Sequence, residues 1–147
     1  MGRIWTIRLY PVKKSSLFVR VLVFEHRRTM LRFAKEERVV GMESAGAWCQ
    51  ETHVIAIRKG KPDRRRPVVA CVVLDKAKMG IGVVAHELFH ATSCWARRVG
   101  IRWECGKEDG VGTFPPNHPE ERLAMIHYHL VTQFCRRAYA LGLYDAA

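Results

Sequence analysis

Acid is what this chain has least of. Asp and Glu number 14 against 25 Lys and Arg, a formal net charge of +11 over 147 residues. Such a surface argues against cationic partners. It favours nucleic acid or acidic protein and speeds encounter with either. The charge is clustered at Lys13-Lys14, Arg27-Arg28, Lys59 to Arg66, Arg97-Arg98 and Arg136-Arg137. No apolar run approaches the roughly 18 residues of a membrane span, so no membrane partner is expected. Met1 to Arg8 contains no uninterrupted apolar stretch, so no signal peptide is expected. Cysteine is sparse and odd in number, five in all (49, 71, 94, 105, 135), with no CxxC pair. That argues against a cysteine zinc site and reads as reduced core thiols of an intracellular, cytoplasmic protein. Internal repeats and low-complexity tracts are also missing, and the length suits one domain over 1–147.

What is present is a patterned chain. Ile4 to Val12 alternates as a strand with Trp5, Ile7 and Leu9 on one face. Phe18 to Phe24 is β-rich and apolar on both faces, as a strand buried on both sides would be. Arg27 to Arg38 sets Met30, Leu31, Phe33 and Ala34 among charges, the pattern of a short amphipathic helix. A strand is expected at Thr52 to Ile57, a polar hairpin loop at Lys59 to Pro67, and another strand at Val68 to Leu74. Ile101 to Asn117 is irregular, with several Gly and Pro, and long enough to be a functional loop. Pro119 sits where a first helical residue would, with Asn117 or His118 as cap, and a helix is expected from about 119 to 141.

The chain is organised around Gly82 to Thr92, GVVAHELFHAT. Ile81, Val84, Ala85, Leu88, Thr92, Trp95, Ala96 and Val99 recur at helical spacing, and Gly100 ends the run as a C-cap. His86 and His90 are therefore one turn apart on one helix face, and two such imidazoles can hold one zinc ion. Glu87 projects on a neighbouring face. It suits a general base toward water at the metal better than a ligand.

A catalytic zinc needs a third protein ligand. Glu120 and Glu121 open the long helix downstream. Glu120 lies nearer the middle of its apolar arc. Glu121 is three before Ala124, a small residue that would let this helix pack closely on the motif helix. His118 is a further candidate by chemistry alone. His127 and Tyr128, two turns along, are candidate donors to the oxyanion of a tetrahedral intermediate.

The segments GVVAHELFHA and EERLA together resemble the zincin metallopeptidases of the HExxH-plus-glutamate kind, most of all the short single-domain forms of prokaryotes and their phages. The resemblance covers roughly residues 50 to 135. It implies an α+β domain with a small twisted, mostly antiparallel sheet packed on an active-site helix and a glutamate helix. It also implies one Zn2+ per chain on His86, His90 and Glu121, with Glu87 as base, in a zinc metallopeptidase hydrolysing peptide bonds of a peptide or protein substrate. The compartment would be cytoplasmic, the host's if the protein is phage-encoded. In such enzymes the strand before the helix edges the cleft and pairs with extended substrate; here that is Val68 to Leu74, through Val69, Cys71 and Val73. The glycine and third histidine of the metzincin pattern are replaced by Ser93 and Ala96, and Met125 stands where thermolysin-like enzymes carry an acid. Spartan-type proteases, which act on nucleic-acid-bound proteins and use a third histidine, are the alternative that suits His118 and the basic charge. Another is a catalytically weak zincin-like module that binds nucleic acid or protein through its basic surface.

Overall fold

The computed structural model describes residues 2–39, 45–51, 67–101 and 118–144. Four strands, β1 (Ile4–Leu9), β2 (Phe18–Phe24), β3 (Ala47–Glu51) and β4 (Val68–Asp75), form one sheet in the order β1-β2-β4-β3. Three helices, α1 (Arg27–Glu36), α2 (Ile81–Val99) and α3 (Pro119–Ala140), complete an α+β arrangement. The sheet is mixed. β1 pairs antiparallel with β2, β2 parallel with β4, and β4 antiparallel with β3.

The period-two pattern of β1 buries Trp5, Ile7 and Leu9 and exposes Ile4, Thr6 and Arg8. In register these three oppose Val23, Val21 and Val19 of β2. They join Leu74, Val84, Leu88, Trp95, Leu130 and Phe134 in the main core, between the sheet and the pair α2 and α3. A smaller core of Phe24, Met30, Ala34, Trp48 and Val73 lies under α1 on the other face. The long apolar segments β2 and β4 are buried on both faces because they are the two inner strands.

Both long helices end in the same way. Gly100 takes a left-handed φ of 78°, its N–H reaches Arg97 O, and Ile101 N–H reaches Ala96 O. Gly142, at φ 69°, repeats this with Tyr139 O while Leu143 N–H reaches Ala138 O. These are Schellman ends, which satisfy the last carbonyls of a helix. α3 starts with Pro119 in the first turn and His118 as N-cap, its Nδ1 accepting from Glu120 N at 3.2 Å. His127 fixes α3 to α2: its Nε2 lies 2.8 Å from Ala85 O, so this nitrogen carries the hydrogen and donates it.

The expected strand Val68 to Leu74 forms, but it is not an edge. β4 is paired along β2 on one side and, from Ala70 to Leu74, along β3 on the other, so Cys71 and Val73 are flanked on both sides, while Val69 sits at the register shift opposite Phe18 and Val19. The strand edging the groove beside α2 is β3, which begins at Ala47. The strand expected at Thr52 to Ile57, the basic loop 59–66 and the Gly-rich loop 102–117 lie outside the described residues. Among the described residues, no helix is long and apolar enough to cross a membrane.

Candidate metal centre

α2 divides its circumference between buried and exposed residues. Val84, Leu88, Ala91 and Trp95 enter the core, while His86 and His90 are exposed on the side turned away from it. The two rings meet edge to face at 4.8 Å, and their Nε2 atoms are 3.2 Å apart. An ion at the usual zinc–imidazole distance of about 2.0–2.1 Å from both nitrogens would see them at an angle of about 100–106°, near tetrahedral. The separation of the two nitrogens is therefore compatible with two ligands of one zinc ion.

Glu87 sits beside this pair and is only 9 % exposed. Burial pushes its carboxyl above the ordinary carboxylate range, and the neighbouring His86 and His90 pull partly back. A carboxylate with raised basicity next to the metal position is suited to accept a proton.

Two cavities of 410 and 430 Å³ follow the seam between β3 and α2, and both are bordered by Ala47 and Glu87. One continues past Gly82, Val83 and His86; the other past His90, Ser93, Cys94 and Arg97. Together they make a groove with Glu87 midway and one histidine on each half. On β3, Ala47, Trp48, Cys49 and Glu51 border it. An ion pair from Arg97 Nη2 to Glu51 Oε2, at 2.9 Å, ties strand to helix at the far end.

The third-ligand candidates do not join the pair. Among the described residues, no three His, Cys, Asp or Glu side chains cluster in a way that could hold a metal ion. The geometry of α3 explains this. It meets α2 at His127, whose ring also packs on Phe89 at 5.8 Å, and Arg122 lies over the Trp95 ring. Glu121 is six residues before His127, about 9 Å back along the helix at 1.5 Å per residue. It thus lies level with the C-terminal half of α2. Glu120 lies in the same turn, and His118 has its Nδ1 engaged as the cap. Glu104, Glu108 and Asp109 fall outside the described residues.

The oxyanion candidates change as well. His127 has committed Nε2–H to Ala85 O, so that proton is not available to an oxyanion. Tyr128 is 62 % exposed on α3. Sequence reasoning passed over Cys49, Glu51 and Arg97, which line the groove. The alternation within Ala47 to Glu51 was the signal, but five residues of mixed polarity give a weak one. Comparison with protein-family models, with curated proteins and with solved structures returned no match to this chain.

Proposed function

We propose that this chain is a zinc-dependent metallopeptidase. The observation that carries the reading is the pair of Nε2 atoms 3.2 Å apart, with the buried Glu87 carboxyl between them in sequence and at the middle of a groove. His86 and His90 would hold the metal, and Glu121, Glu120 or His118 would complete the site only by a shift of α3 along α2 towards the pair. When bound, zinc polarises the scissile carbonyl and lowers the pKa of water. Glu87 accepts the proton of the attacking water and returns it to the leaving amine. Among the described residues β3 is the last strand on its side of the sheet, and an extended peptide would add along its outer edge as a further strand. Tyr128 is the candidate left for the oxyanion.

Elemental analysis and a peptide-library digest test this together. Wild type should carry about one zinc per chain and cleave. His90→Ala should lose the metal. Glu87→Gln should keep it and lose turnover by roughly 10²–10⁴-fold. Metal-free wild type, purified without chelator, would sink the reading. Equal background cleavage by wild type and Glu87→Gln, with zinc retained, would instead make the chain a zinc-holding binding module.

A further inference from the structure

The half of the groove beyond His90 contains two thiols that peptide hydrolysis does not use. Cys49 faces the groove from β3 and Cys94 from α2, and both line the 410 Å³ cavity. Facing each other across this cavity, the two thiols shift each other's ionisation. Arg97 Nη2 donates to Cys94 Sγ at 3.4 Å and to Glu51 Oε2 at 2.9 Å, so one guanidinium bridges the cysteine on the helix and the carboxylate on the strand. Cys49 packs against the main core on the α2 side of the sheet, whereas Cys71 packs against the smaller core on the other side.

We propose that Cys49 and Cys94 form a redox-modification site, oxidised by a low-molecular-weight disulfide such as glutathione disulfide to an internal disulfide that fastens β3 to α2 and narrows the groove. Cys94 is the attacking thiol. Its neighbour Cys49 lowers its pKa; burial and Glu51 oppose this, and Arg97 assists. Cys49 is raised by its neighbour Cys94 and by burial.

The exchange runs in two steps. Cys94 Sγ, as thiolate, attacks one sulfur of the small disulfide. That S–S bond breaks, and the first thiolate leaves with the electron pair and takes a proton from water. Cys49 then gives its proton to solvent and attacks Cys94 Sγ. The mixed disulfide breaks and the second small thiolate leaves. Two protein thiols are oxidised, and one small disulfide is reduced to two thiols.

The new bond, about 2.05 Å long, lies one helical turn from His90. It holds the strand that edges the groove against the helix that carries the histidines. The consequence for turnover rests on the peptidase reading above; the formation of the bond does not.

The test is titration of the full chain in glutathione buffers, read by intact mass and by peptide mapping under non-reducing conditions. Wild type should lose two hydrogens and yield a Cys49–Cys94 cross-linked peptide, reversed by excess reduced glutathione. Cys49→Ser should stop as a glutathione adduct on Cys94, while Cys94→Ser should react much more slowly at Cys49. The oxidised wild type should melt about 5–10 °C higher than the reduced. No cross-link in wild type under fully oxidising buffer, or a cross-link that maps to Cys71, Cys105 or Cys135, overturns the proposal. If the cross-link forms and neither redox form cleaves peptide, the thiol site stands and the peptidase reading fails. If both forms cleave at equal rates, the claim that the bond narrows the groove is wrong.

Discussion

Glu87 carries a stability effect beside the catalytic role proposed for it. Its folded pKa is raised above the ordinary 4.5 by burial, so the folded metal-free protein binds this proton more tightly than the unfolded chain does. A raised carboxyl contributes most to stability below its unfolded pKa, and that contribution is lost as pH rises through the folded value. Metal-free Glu87→Gln should therefore be more stable than metal-free wild type at neutral pH. The gap should close towards about pH 4, where wild type is also neutral. Urea titrations of both proteins across that range, in chelator, give the comparison; a gap that does not change with pH rules the explanation out. The third ligand needs its own panel of Glu120→Gln, Glu121→Gln and His118→Ala, each scored for zinc retained after dialysis. With α3 placed as it is, all three should retain zinc and cost only helix-end stability of roughly 0.5–1 kcal/mol, whereas loss in Glu121→Gln alone would show that α3 shifts towards the pair when metal binds. The histidine pair and Glu87 were legible in the sequence because their relation depends only on helical periodicity. The third ligand was not, because it depends on how far α3 is shifted along α2, and no local pattern fixes that shift.

Helix ends make the clearest stability predictions. An added Cβ at Gly100 would meet nothing within 4 Å, so Gly100→Ala isolates the backbone cost of a left-handed residue. That substitution should destabilise by about 1–2 kcal/mol. α1 closes with the same hydrogen bonds, Arg38 N–H to Lys35 O and Val39 N–H to Ala34 O, but Arg38 itself occupies the left-handed position at φ 57°. Arg38→Gly should therefore stabilise, by roughly 0.5–1 kcal/mol after the greater freedom of glycine in the unfolded chain is subtracted. Denaturant midpoints at constant m-value measure both, and a loss of stability in Arg38→Gly would mean that its side chain contributes more than its backbone costs. These elements were read well from sequence. Gly100 ends α2 and Pro119 begins α3, each through a backbone property of one residue type. The rank of β4 in the sheet was misread although its signal was visible: an unbroken apolar run from Val68 to Leu74 needs cover on both faces, which an inner strand has and an edge strand seldom does.

At the scale of the molecule, the parallel pairing of β2 with β4 requires the chain to cross between them, and the crossing carries α1 and β3. α1 covers one face of the sheet while α2 and α3 cover the other, so the groove and the helix that begins with Arg27 and Arg28 lie on different sides. Alternation and helical periodicity identify the α+β class, but strand order follows from pairings distant in sequence, which periodicity does not encode. Charge, by contrast, is fully legible without any structure. A formal net charge of +11, gathered in clusters, should hold polyanions by counterion release, whatever their sequence. DNA binding measured by fluorescence anisotropy should then weaken linearly in log affinity against log salt. Reversing Arg64, Arg65 and Arg66 to Glu should flatten that line by up to about 2.7 in slope, the value for three phosphate contacts at 0.9 each. Affinity should fall by a similar factor for unrelated sequences, because phosphate contacts carry no sequence information. Binding that ignores salt, or is undetectable at low ionic strength, would leave acidic protein as the partner that the charge attracts.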